Sequence, residues 1–156
     1  VGSANVTWLD DSRQRIFEYD TEETRFAVGD LDGEPTYFDG YPFSGLNRAI
    51  VQHALQEAGA GGRTLHAVSG LPVGAFYLRD GGKRTETVAK KRASLIKPAR
   101  PVDDRLPAAI AFHDVIPEAL AAWYDYVISE SDDGVVLEAN RTAAPVAIVD
   151  IGGRTT

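Results

Sequence analysis

Cysteine and methionine are both absent from the 156 residues, and no apolar run approaches the roughly 20 residues that a membrane-spanning helix requires. Without cysteine there can be no disulfide, no thiolate zinc site and no cysteine nucleophile. The three histidines are scattered and never stand in an HxxxH spacing, which removes a histidine-based metal site and leaves oxygen as the donor for any metal. The first residues carry no basic segment followed by an apolar run, so a cytoplasmic location is expected, with no membrane partner. Positive charge is also scarce. Sixteen Lys and Arg face 23 Asp and Glu, a formal net charge of -7, which argues against direct binding to a nucleic-acid backbone because such binding relies on cationic side chains that release counterions. Neither a Gly-x-Ser-x-Gly elbow nor a Gly-x4-Gly-Lys-Ser/Thr loop occurs, which sets aside serine hydrolases and P-loop enzymes.

What is present describes a folded protein. Hydrophobic residues make up 44% of the chain and charged residues 25%, well away from the composition of disorder, and the length suits one domain with a real core. Val1 leads at once into a small-residue turn, Gly2-Ser3-Ala4-Asn5, and the last residues are a glycine turn following an apolar stretch. Further chain is therefore expected on both sides.

Short strands are expected over Val1 to Leu9, Gln14 to Tyr19 and Thr24 to Val28, separated by polar turns as in an antiparallel meander. Residues 30–42 are rich in Gly, Pro, Asp and Tyr, which is turn chemistry with at most one short strand, Thr36 to Phe38. Ser44 is placed to cap a helix over Gly45 to Ala58 whose apolar face would be Leu46, Ile50, Ala54 and Leu55. Gly59 to Gly62 ends it. Leu65 to Leu71 reads as a buried strand running into the Gly70-Leu71-Pro72 loop. Glu86 to Leu95 has helical composition, and its Lys90-Lys91-Arg92 run is expected to be a solvated face. After a proline-rich connector, Ala109 to Val115 is expected as a strand, Glu118 to Ser129 as a helix with Leu120, Tyr124 and Val127 on one stripe, Ser131 to Pro145 as a linker, and Val146 to Val149 as a strand ending on Asp150. Strands first and helix-strand alternation afterwards describe an α/β domain, an antiparallel meander completed by parallel crossover strands.

Three strings carry possible chemistry. Asp150-Ile151-Gly152-Gly153 puts a carboxylate and two glycines at the end of an apolar run, where α/β folds bind ligands. The glycine N–H groups can approach an anion, Thr155 and Thr156 add hydroxyls, and Asp150 can hold a magnesium ion through water; an ordinary turn after a core strand is the alternative. Gly2-Ser3-Ala4-Asn5 is a second small-residue turn suited to phosphate or to nothing more than a turn. Pro117-Glu118 opens a helix, where a carboxylate either compensates the helix dipole or, beside a bound triphosphate, accepts a hydrogen bond from the attacking water. His53 and His66 are expected to be structural, and His113 is separated from any obvious serine partner.

Taken in order, these strings resemble the actin-like superfamily, and within it the bacterial plasmid-segregation ParM/StbA proteins. Gly2-Ser3-Ala4-Asn5-Val6 is similar to the first phosphate loop, with the leading aspartate lying before Val1. Ile50 to Leu55 through Gly70-Leu71-Pro72 resembles that branch's helix and the strand ending in a Leu-Pro loop. Ala89 to Ala93 resembles its charged helix, Val115-Ile116-Pro117-Glu118-Ala119 its Val-x-Pro-Glu segment, and Ile148 to Thr156 its second phosphate loop. Thr7 departs from the pattern, standing where lysine is frequent.

The resemblance implies an α/β, actin-like (ribonuclease H-like) ATPase fold with helices flanking a mixed sheet. It implies a first domain over 1–144, in which the turn-rich residues at about 30–44 read by their composition as a small subdomain or insertion, and the opening strand and phosphate loop of a second domain over 145–156; residues 8–41 carry little of the resemblance. It further implies ATP, or alternatively GTP, with Mg2+, in a filament-forming ATPase whose filaments separate plasmid copies. Gly2, Ser3, Ala4, Asn5, Gly152, Gly153, Arg154, Thr155 and Thr156 would hold nucleotide, Glu118 would position the hydrolytic water, and Asp150 would serve both catalysis and metal. Partners would be further copies of the protein and an adaptor bound to plasmid DNA. This chain alone would not turn over ATP. A non-catalytic scaffold of the same fold and a small-molecule kinase are the alternatives.

Overall fold

The computed structural model describes residues 16–33, 35–132 and 134–149. It is a mixed α/β structure with small antiparallel and parallel sheets, and the described residues divide into two compact units, one of those up to 67 with 90–113 and the other of 68–89 with those from 114 onward.

In the first unit, β1 (Phe17–Asp20) is the middle strand of an antiparallel sheet, flanked by β2 (Arg25–Val28) and the two-residue β4 (Arg100–Pro101). Register pairs Tyr19 with both Phe26 and Pro101. Tyr19 is fully buried, and its hydroxyl lies 3.0 Å from His53 Nδ1 and accepts from Arg105 at 3.3 Å. A buried phenol needs such partners to offset lost hydration. The expected strand over Gln14 to Tyr19 is thus β1, displaced to Phe17–Asp20, while Gln14, Arg15 and the strand expected over Val1 to Leu9 lie outside the described residues.

Helix α1 (Gly45–Glu57) starts where the sequence indicates, with Ser44 Oγ accepting the Asn47 N–H at 3.2 Å. Its buried face differs from the expected one. Asn47, Arg48, Ala49 and Gln52 are buried, whereas Leu46, Ile50 and Leu55 are half-buried and Ala54 is exposed. The reason is a polar web that satisfies most of these buried groups, although Arg48 Nε has no partner among the described residues. Arg48 donates to Phe43 O at 3.3 Å and Ser94 Oγ at 3.0 Å, and pairs with Glu22 and Glu23 at 2.7 and 3.1 Å. Lys91, on α3 (Thr85–Ile96), donates to Pro42 O at 2.8 Å and Asn47 Oδ1 at 2.9 Å. The Lys90-Lys91-Arg92 run is therefore not a uniformly solvated face: Lys90 and Arg92 are exposed, but Lys91 is only 4% exposed. Periodicity counts apolar residues and cannot see a buried cation whose acceptors come from distant segments.

Residues Thr36 to Phe38 form no strand. Tyr37 and Phe38 are exposed, and the segment runs between Pro35 and a turn at Asp39-Gly40, with a short 3-10 turn at Tyr41–Phe43 following. Three residues without a pairing edge cannot make a ladder.

β3 (Thr64–Leu71) pairs with β5 (Ala109–Pro117), and the ends of these strands belong to the second unit. There Leu71 and Val115 share a core with Phe76 and Val88, with Ala75 and Tyr77 against it. Phe76 belongs to α2 (Val73–Phe76), a single turn closed by Phe76 N–H donating to Pro72 O at 3.0 Å. Helix α4 (Glu118–Val127) follows β5 directly, and Val127 is fully buried. The expected helix to Ser129 stops earlier because Ile128–Ser131 is β6, paired antiparallel with β7 (Gly134–Leu137). Gly134 takes φ 115°, the positive value that closes this hairpin. The segment 131–145 is therefore not a simple linker: it holds β7 and the short α5 (Ala139–Thr142). Val146 to Val149 is irregular, and Val149 is 80% exposed. An apolar run becomes a strand only where a neighbouring edge accepts its backbone groups.

Candidate functional site

The second unit brings two strand ends together at one point. Leu71 and Val115, 1% and 2% exposed, bury their side chains in one core, fixing the final residues of β3 and β5. Pro117 has φ -71° and ψ 136°, an extended geometry that ends the strand and serves as N-cap of α4, so that Glu118 is the first helical residue. Pro at this point cannot continue a ladder, and its lack of an N–H costs nothing. Glu118 thus stands on a helix first turn, immediately after a core-anchored strand.

The side chain of Glu118 is exposed, and no residue among the described ones makes a hydrogen bond or ion pair to its carboxylate. It lies against Gly70: a Cβ built on Gly70 would stand 2.5 Å from Glu118 Cγ and 3.2 Å from its Oε1. An acceptor-only group with free lone pairs, beside a main chain stripped of its side chain, can receive a hydrogen bond from a water or a ligand. The sequence points to Glu118 through the Pro-Glu helix start. It gives Gly70 only as part of a loop, because nothing local says which distant side chain comes to rest on it.

The remaining expected site residues, Gly2, Ser3, Ala4, Asn5, Asp150, Gly152, Gly153, Arg154, Thr155 and Thr156, lie outside the described residues. Among the described residues no group of three His, Asp or Glu side chains could hold a metal. The histidines sit in packing roles. His53 meets Tyr19, the His66 ring is 5.4 Å from that of Phe112, and His113 is 1% exposed with Nδ1 3.2 Å from Arg92 O. A cavity of about 250 Å³ belongs to the first unit, among Arg48, Gln52, Leu95, Ala99 and Ala108, and Glu118 does not line it.

The family described as plasmid segregation protein ParM, N-terminal, matches residues 4–128. The chain belongs to that family. The matched span contains the Gly70-Leu71-Pro72 loop and Pro117-Glu118, and ends before Asp150. Membership of the ParM N-terminal family implies an actin-like fold. No curated protein matches the chain, and no helix among the described residues is long and apolar enough to cross a membrane.

Proposed function

We propose that this chain is the N-terminal half of an actin-like ATPase that assembles into nucleotide-dependent filaments for plasmid DNA segregation. Family membership supports the segregation role, and the observation that carries the mechanism is Glu118: exposed, without an ion-pair partner among the described residues, and held at the end of two core-anchored strands. A carboxylate so placed accepts a hydrogen bond from a water and orients it for in-line attack on a terminal phosphate.

In this reading ATP, or GTP, binds with Mg2+ against the glycine-rich turns. Gly2, Ser3, Ala4 and Asn5 form one phosphate loop, and Gly152, Gly153, Arg154, Thr155 and Thr156 the other. Asp150 takes the magnesium, and residues 145–156 open a second domain. The oxygen chemistry of these residues fits a hard cation and phosphate. The net charge of -7 favours an adaptor protein, rather than this chain, as the contact to plasmid DNA.

Sedimentation of the full-length protein with and without magnesium-ATP tests the reading, with pelleted protein and released phosphate measured in the same tubes. Nucleotide-dependent pelleting with phosphate release is the expected result. Transfer of phosphate to a small acceptor without pelleting would replace it with a kinase, and neither pelleting nor turnover would leave a scaffold.

A further inference from the structure

The glycine beneath Glu118 has no backbone reason to be glycine. The positive-φ glycines among the described residues are Gly59, Gly62, Gly81 and Gly134, so Gly70 has a conformation that any residue can adopt. It sits one position from the end of a strand, where glycine adds chain entropy to the unfolded state and contributes no packing; such a position marks a close approach by another group. That group is Glu118. The three atoms nearest to a Cβ at Gly70 are all its own, Cγ at 2.5 Å, Oε1 at 3.2 Å and Cδ at 3.4 Å.

We propose that Gly70 is a positioning residue, its missing side chain leaving the space in which the Glu118 carboxylate is held for its work on water. This rests on the function proposed above. The Glu118 backbone has little freedom to retreat, since Pro117 is buried and Val115 is locked in the core with Leu71. A side chain at position 70 must therefore be accommodated by rotation about the Glu118 side-chain bonds, which carries the carboxylate away. Water orientation tolerates such displacement poorly, because in-line attack depends on placement to within about an ångström. Gly74 provides the internal contrast: it lies in α2, and a Cβ there would meet nothing within 4 Å.

The test is a double-variant cycle in the full-length protein, comparing Gly70→Ala, Glu118→Ala and both together, with Gly74→Ala as control. Phosphate release, nucleotide affinity and thermal denaturation are measured on each. Gly70→Ala is expected to slow phosphate release at least tenfold with nucleotide affinity retained, to slow it no further when Glu118 is already alanine, and to be unlike Gly74→Ala, which keeps the original rate. If the extra methyl lowers the melting temperature, Glu118→Ala, which removes the colliding Cγ, should restore it. Equal effects of Gly70→Ala with and without the Glu118 side chain, in rate and in melting, would overturn the positioning role, as would a wild-type rate. A wild-type rate in Glu118→Ala is a different failure, since it removes the proposed function of Glu118 itself.

Discussion

The ammonium of Lys91 donates to Asn47 Oδ1 at 2.9 Å, with no carboxylate partner among the described residues. Its other acceptor is the carbonyl of Pro42, and burial pulls its pKa down to about 8 from the usual 10.5. Removing the amine in Lys91→Met leaves two acceptors short of a donor, and each buried unsatisfied group costs about 1–3 kcal/mol. The variant should therefore unfold at lower urea than the original.

The same lysine gives a pH dependence whose sign is opposite to that of an ion-paired one. Below pH 8 both folded and unfolded chains carry the charge, and the folded state bears the full cost of burying it. As pH rises from about 8 to 10.5, the folded state gives up its proton first and that cost is relieved. A neutral amine keeps two N–H groups, enough for both acceptors. The stability difference between the original and Lys91→Met should grow across this window; a difference that shrinks would show that the ammonium is held by something stronger than two neutral acceptors.

Arg48 and Arg25 both make ion pairs, and only the first should matter to stability when removed. Arg48 is 2% exposed and also bonds Ser94 Oγ and Phe43 O. Loss of its packing and hydrogen bonds in Arg48→Met is expected to cost about 2–4 kcal/mol. Arg25 bonds Asp20 at 2.7 Å on an open surface, with half of each side chain exposed. Such pairs add little net stability, and Arg25→Ala should leave the denaturation midpoint unchanged. Urea titrations of the two variants in parallel decide the point.

Much of the fold is legible because local signals agree with tertiary ones. Ser44 caps α1, Pro117 separates β5 from α4, and Leu71 and Val115 are the apolar residues on which their strands are fastened. The failures share a cause. Thr36 to Phe38 and Val146 to Val149 have strand composition, but a strand exists only when another edge accepts its hydrogen bonds, and no local pattern encodes that edge. The hairpin of β6 and β7 was hidden in an acidic stretch whose decisive feature is one glycine at positive φ. The polar face of α1 was hidden because its partners, Glu22, Glu23, Lys91 and Ser94, are remote in sequence. At the candidate site Glu118 was readable from its helix start, whereas its contact with Gly70 required the two strand ends to be brought together.

Gly134 tests how far that hairpin depends on backbone rather than side chains. Its φ of 115° lies where residues with a Cβ are strained, at about 1–3 kcal/mol. No atom stands within 4 Å of a Cβ built there, so Gly134→Ala isolates backbone strain from steric collision. Amide hydrogen exchange should quicken in Ile128–Ser131 and Gly134–Leu137 while that of β1 is unaltered.

The proposed function assigns different work to Glu118 and Asp150, and kinetics can separate them. Glu118 would touch only the attacking water, so Glu118→Gln should bind magnesium-ATP and assemble as before, yet release phosphate more slowly by about 10²–10⁴-fold, the usual contribution of a positioned acid or base. Asp150 would hold the magnesium, so Asp150→Ala should weaken nucleotide binding in the presence of magnesium and leave binding in EDTA unchanged, as calorimetry would show. The opposite assignment, with Glu118→Gln losing magnesium-dependent affinity and Asp150→Ala retaining it, would place the metal at the helix start and the water at the glycine turn.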